Sequence, residues 1–316
     1  MNWVENSLNE LLSNSPADLS SRLESMCHEV SIQNTKSIGY CHCLKLDGNG
    51  NVRWKDLCEF VAHKIVDYSI PKKEIDAAKA HMTRTSSTAK ILELTTKAKQ
   101  LFTDLKNTGE GGEMLLYILA QEILNIPQLI SKMSLKTSGQ VHYHGVDGIH
   151  VKFDTAEQRL NLYWGESKMY QDLNKGLTAC FDSIKGFMLD SIGYASRGER
   201  DLQLVTSHLA ENINDEDLEN LIVRYFDKDD DLSNKLVYKG VCFIGFDFDK
   251  YPQDPNQMDL ADLKAEIHLR LNDWMNSIST KICAHDKLEL YEIHVFIIPF
   301  PSVENFRDHF IQMVTN

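Results

Sequence analysis

Two runs of alternating apolar positions lie in the middle of the chain. Over 146–153, Asp147, Ile149, Val151 and Phe153 share one parity, and over 160–168 Leu160, Leu162, Trp164, Glu166 and Lys168 do. Side chains along a strand point to opposite faces in turn, so each run predicts a strand with one apolar face. A turn at Ala156 and Glu157 makes them a hairpin in which Phe153 faces Leu160, Val151 faces Leu162, Ile149 faces Trp164 and Asp147 faces Glu166. A register displaced by two residues would keep the same faces. In either register both apolar stripes end in charge.

The flanking pattern extends this hairpin into a larger unit. Residues 113–124 are apolar nearly all round, as a buried helix requires. After the hairpin, the periodicity predicts a helix over 170–189, more helix through Phe226, and apolar strands over 236–248 and 288–299. An amphipathic helix over 259–282 separates those strands, and Ser302 caps a last helix starting at Val303. Ahead of all this come a short helix from Trp3, a strand over 38–46, a turn at Asp47 to Gly50, and helices to about Leu105. The expected fold class is therefore α/β: a mixed sheet flanked by helices over 108–316, preceded by a mainly helical N-terminal accessory region over 1–107.

Composition narrows the setting. With 316 residues, 42% of them hydrophobic, the chain can bury a substantial core. Its start carries Glu5 and Glu10 and no basic, apolar leader, and its longest apolar stretch, near 291–300, contains Glu292 and His294. Neither export nor a membrane span is expected, and a cytoplasmic location is. Seven cysteines suit reduced thiols better than a disulfide framework. Cys41, His42 and Cys43, with Cys27 and His28 upstream, lack a second ligand pair at finger spacing, and alternation sets His42 opposite the two thiols, which argues against zinc.

The formal charge of -13 is unevenly spread. Residues 199–273 carry 18 Asp and Glu against 8 Lys and Arg, whereas 71–106 carry 8 Lys and Arg against 4 acids. An acidic balance is unusual for a protein that tracks phosphates. The basic segment is thus either a nucleic-acid surface or simply a solvated helix face.

The charged ends of the two stripes carry the candidate chemistry. Carboxylates on opposed strands, with Cβ atoms about 5 Å apart, repel each other and are costly to desolvate. A hard divalent cation, Mg²⁺ or Mn²⁺, would compensate them and leave positions for water and phosphate. Lys168, on the same face beyond Glu166, could orient an attacking water or offset charge developing on a phosphate. Metal, two carboxylates and a lysine point to phosphodiester hydrolysis. The competing reading is an ion-pair cluster where the sheet meets solvent.

Four ordered motifs, GGEMLLY at 111–117, SKMSLKT at 131–137, GVDGIH at 145–150 and GESK at 165–168, resemble the HamA family. That family is the nuclease subunit of the Hachiman anti-phage defence systems, a divergent branch of the PD-(D/E)XK nucleases. The resemblance is strongest over 109–190. It implies a restriction-endonuclease-like core in which Asp147 and Glu166 bind the metal, Lys168 supports the attacking water, and a helix glutamate completes the site. Glu113, on the helix face of Leu116, Tyr117 and Ala120, is favoured for that place. Glu110, one turn earlier, is the alternative, with a favourable position on the helix dipole as its other role. The aspartate stands in Gly-Val-Asp, without the proline of the motif's name. The resemblance further implies DNA as substrate and a HamB-like helicase as partner, whose ATP-driven handling of DNA controls access. No Gly-x-x-x-x-Gly-Lys-Ser/Thr loop is present that would let this chain hydrolyse ATP itself.

Two rival readings stay open: a catalytically inactive DNA-binding or regulatory subunit of a helicase complex, and a regulator docking its acidic segment on a basic partner. His142, His144 and His150 gather near the motif, although packed or surface histidines are the commoner case. Tyr170 and Gln171 are candidate supporting polar groups, and Lys175 a candidate phosphate contact. The series Asp47, Asn49, Asn51 and Asp227, Asp229, Asp231 begin like calcium loops. They place Val52 and Leu232 where the sharp-turn glycine belongs, and Cys58 and Tyr238 at the last ligand position, so both are read as turns.

Overall fold

The computed structural model describes residues 2–12, 19–102, 109–131, 133, 145–189 and 197–315. The first third supplies α1 (Asn2–Asn9), β1 (Leu23–Ser31), β2 (Ile38–Leu44), α2 (Trp54–His63), α3 (Ile65–Ser69), α4 (Lys72–Thr85) and α5 (Ala89–Leu101). Next come α6 (Glu110–Glu122), β3 (Gln128–Ser131), β4 (Gly148–Asp154), β5 (Arg159–Tyr170) and α7 (Leu173–Met188). The chain closes with α8 (Arg197–Asn212), α9 (Glu216–Phe226), β6 (Leu236–Asp247), α10 (Leu260–Cys283), β7 (Ile293–Phe300) and α11 (Val303–Thr315).

The strands form one seven-stranded mixed sheet in the order β1-β2-β7-β6-β5-β4-β3. The four central strands, β2, β7, β6 and β5, run parallel, and β1, β4 and β3 are antiparallel to their neighbours. Parallel strands need crossover connections that cover both faces of a sheet. That explains why β7, IHVFIIPF, is a continuous apolar run with every residue buried. On one face α7 lies over β5 and β6, bringing the Phe187 ring within 5.4 Å of Trp164. On the other lie α6 and α11.

Close approach of α6 depends on two glycines. A Cβ on Gly165 would sit 2.9 Å from the Gly148 carbonyl oxygen and 3.2 Å from Leu116 of α6, and one on Gly112 would sit 3.2 Å from Met169. Only a residue without a side chain lets this buried helix rest so near the β4–β5 hairpin. As expected, α6 is apolar all round, and even Glu110 and Glu113 in its first turn are buried.

The hairpin register is the expected one: Phe153 pairs with Leu160, Val151 with Leu162 and Ile149 with Trp164. Several features differ from expectation: β3 was not foreseen, and the last strand starts at Ile293 rather than Leu288. β1 was not foreseen, and with β2 it joins the sheet through β7, so the sheet crosses the division expected near residue 107. β5 continues to Tyr170, so α7 starts at Leu173, with the Asp172 side chain capping it by accepting from the Lys175 N–H at 2.8 Å. β4 begins at Gly148 rather than Val146, which leaves Asp147 in a bend just ahead of the strand. Among the described residues, no helix is long and apolar enough to cross a membrane. All seven cysteines are free thiols.

Candidate active site

β5 carries Ser167 and Lys168 to the wall of a cleft of about 790 Å³, while Glu166, between core and cleft, stays buried and does not line it. The cleft is lined by Glu113 and Gly112 of α6, by Asp147, by Ser167 to Asp172, by Lys175 of α7, and by Glu304 and Arg307 of α11. The first turn of α6, the β4–β5 hairpin with the start of α7, and the start of α11 therefore converge there.

Asp147 is 7% exposed and keeps its backbone in the hairpin ladder, its N–H donating to the Gly165 carbonyl at 2.9 Å. Its Oδ2 accepts both the Ser167 N–H and the Ser167 hydroxyl, each at 2.8 Å. Ser167 has opposite parity to Glu166, so the bend lets the Asp147 carboxylate engage the other face of β5 at its Ser167 position. The N–H of the preceding residue, Val146, donates to Asp201 of α8 at 3.2 Å. Buried carboxylates that accept several donors are positioned firmly.

Glu166 is 3% exposed. Lys168 donates to its Oε1, Ser183 of α7 hydrogen-bonds its carboxylate, and its backbone carbonyl oxygen accepts from the Cys180 thiol at 3.7 Å. Burial, and then the nearby Asp147 charge, push the Glu166 carboxyl up to about 7, with Lys168 and Ser183 pulling the other way. Burial also opposes the Lys168 charge, but the attraction of Glu166 and Asp147 overcomes it and holds the ammonium above its ordinary range. The cluster thus keeps more negative charge than one lysine satisfies.

Glu113, 6% exposed, reaches the cleft from the first turn of α6, where the helix dipole favours an acid. Tyr68 of α3 places its hydroxyl 3.4 Å from Glu113 Oε2 and 3.4 Å from the Asp147 carbonyl oxygen. Burial, followed by the charges of Glu113, Asp147 and Glu110, holds this phenol far above its usual range, so it remains a donor. Glu110 is buried nearby, but it is Glu113 that lines the cleft.

The other expected residues are distributed unevenly. Tyr170, Gln171 and Lys175 line the cleft. His150 is fully buried in β4, where desolvation lowers its ring to about 4, so it is a neutral packed imidazole outside the cleft. His142 and His144 lie outside the described residues, as does most of the 131–137 motif. Arg307, Tyr68, Ser167 and Asp201 were not foreseen. Arg307 donates from Nη2 to the Met169 carbonyl oxygen at 3.0 Å and so brings a cation to the cleft wall.

In donor chemistry the centre offers carboxylate oxygens, the class a hard divalent cation prefers. Among the described residues, no three His, Cys, Asp or Glu side chains are already grouped so as to hold a metal ion. Lys168 supplies the positive charge against Glu166, and Ser167 the donors to Asp147.

An α/β protein with a mixed sheet, a buried acid pair and an adjacent lysine at a cleft is the class these features define. The sequence model of the HamA family matches residues 20–314, nearly the whole chain, and the chain belongs to that family. It is accordingly a component of the Hachiman anti-phage defence, a system with further subunits. No curated protein matches the chain.

Proposed function

We propose that the chain is a Mg²⁺- or Mn²⁺-dependent deoxyribonuclease that acts with a HamB-like helicase in bacterial, cytoplasmic anti-phage defence. The observation that carries this reading is the convergence of Glu113, Asp147 and Lys168 on one cleft, with Glu166 buried just behind its wall and paired to Lys168. An acid ahead of one strand, Glu-x-Lys on the next and a helix glutamate also support a divergent PD-(D/E)XK core. Asp147, Glu166 and Glu113 would hold the cation, which when bound supplies Lewis acidity and a more acidic water. Lys168 keeps a positive charge beside the scissile phosphate, and Ser167 fixes the Asp147 carboxylate. Lys175 of α7 and Arg307 of α11, both lining the cleft, meet flanking phosphates.

A second reading, an inactive DNA-binding or regulatory subunit, is favoured by one observation: Glu166 is engaged in an ion pair with Lys168, and among the described residues no three-ligand group is assembled. Plasmid degradation separates the two. The chain is assayed with Mg²⁺ or Mn²⁺, alone and with the neighbouring helicase plus ATP, beside Glu166→Ala and Lys168→Ala. Degradation lost in both variants and on chelation supports the nuclease. No degradation under any condition, with variants that still protect cells, supports the binding subunit.

A further inference from the structure

Tyr68 stands out because it comes from the N-terminal third yet ends among the acids of the cleft. It belongs to α3, 79 residues before Asp147. The side chain is 3% exposed and its ring packs beside Tyr117, with centroids 5.3 Å apart. A phenol has one proton to give, and here two acceptors lie at the same 3.4 Å: Glu113 Oε2 on α6 and the Asp147 carbonyl oxygen in the bend before β4. Packing alone does not explain the hydroxyl, since phenylalanine fills nearly the same volume without a buried polar atom to satisfy. Both acceptor residues line the cleft.

We infer that Tyr68 is a positioning residue, whose hydroxyl couples Glu113 to the Asp147 backbone and so fixes the spacing of two cleft carboxylates that come from different elements. What those carboxylates bind rests on the nuclease reading above; the coupling itself does not. Ser167 holds Asp147 from the strand side and Tyr68 ties it to the helix side. Groups that orient metal-binding side chains without touching the metal typically contribute 10- to 100-fold to affinity.

The test titrates Mn²⁺ into the full chain by calorimetry, comparing wild type with Tyr68→Phe and with Tyr117→Phe. The Tyr117 hydroxyl donates to the Asp67 carbonyl oxygen at 3.4 Å, so its loss controls for removing a phenol from the same aromatic pair. Tyr68→Phe is expected to bind Mn²⁺ about 10-fold or more weakly, while Tyr117→Phe binds as wild type does. A role confined to packing would lower the melting temperature without moving Mn²⁺ affinity, and unchanged affinity in Tyr68→Phe overturns the inference. If wild type binds no Mn²⁺, the cation reading fails. The coupling is then decided in metal-free protein by a double-mutant cycle of Tyr68→Phe with Glu113→Gln. A double variant that loses less melting temperature than the two single losses combined supports the coupling, and strict additivity overturns it.

Discussion

Two glutamates, one half-buried and one buried, each paired with a lysine of the same sheet, are driven in opposite directions. Glu292, just ahead of β7, accepts from Lys239 at 2.9 Å and lies 3.1 Å from His294 Nε2, whose Nδ1 is 3.0 Å from the Tyr40 hydroxyl. The hydrogen bond to His294, against the opposing effect of burial and with help from Lys239, brings Glu292 down to about 2. Glu166, with Lys168 just as close at hand, rises to about 7. The Glu292 side chain is 34% exposed and the Glu166 side chain 4%, and Glu166 also has Asp147 beside it. A lysine satisfies a carboxylate that still touches water and has a second donor. It does not satisfy one that is fully desolvated and faces another acid. The unpaid balance at Glu166 is where function is expected, because perturbed carboxylates gather at working sites.

The largest effect that tests this contrast is catalytic. Lys168→Ala should lower DNA degradation by about 100-fold or more, as loss of a charge-stabilising donor does, whereas Lys239→Ala should leave it near wild type. Degradation assays on both variants, with the helicase present, decide it. Next comes cation linkage. Because the Glu166 carboxyl titrates near 7, Mn²⁺ binding should release a proton below that pH. The rise in melting temperature that Mn²⁺ produces should therefore be larger at pH 8 than at pH 6 and vanish in Glu166→Gln.

Stability without cation should then show opposite signs at the two sites. Above its unfolded value of 4.5, ionised Glu166 costs the native state more as pH rises through about 7. Relative to wild type, Glu166→Gln should therefore gain stability progressively as pH rises from about 5 to about 8. Glu292 is depressed, so its contribution is present above about pH 4.5 and is lost as pH falls toward about 2. Glu292→Gln should lose roughly 1 kcal/mol at neutral pH, after discounting for partial exposure, and nothing at pH 2. Thermal melts across pH read both; parallel curves would dissolve the contrast. The smallest effect is at the Lys90–Glu93 pair of α5, more than half exposed on both partners. Lys90→Ala should change stability by less than about 0.5 kcal/mol.

Much of this centre was legible in the sequence because hydrophobic alternation is a strong signal where a strand has one buried face. The β4–β5 register followed from matching apolar stripes, and α6 from its unbroken apolar surface. β1 was invisible for the complementary reason. It is an edge strand, LESMCHEVS, mostly exposed, with Glu29 at φ 53° and register shifts at Cys27 and Val30, so no clean alternation survives. The contrast at the site is similar. Parity found Glu166 and Lys168, but it separated Ser167 from Asp147, which the bend at Asp147 brings together. Tyr68 and Arg307 lie far from the motif in sequence and carry no periodic signal that could assign them to it. Only the packing of α11 brings Arg307 to the cleft, and only that of α3 brings Tyr68 against Glu113 and Asp147 behind its wall.

The pairing of β2 with β7 also bears on how this chain can be dissected. β7 exchanges hydrogen bonds with β2 along one side and β6 along the other, and all eight of its residues are buried. A fragment beginning after residue 107 would strip β2 away and leave an apolar strand with an open edge, a template for joining other chains edge to edge. Such a fragment should appear in the insoluble fraction when expressed, even with every cleft carboxylate intact, and its failure to cut DNA would say nothing about the chemistry.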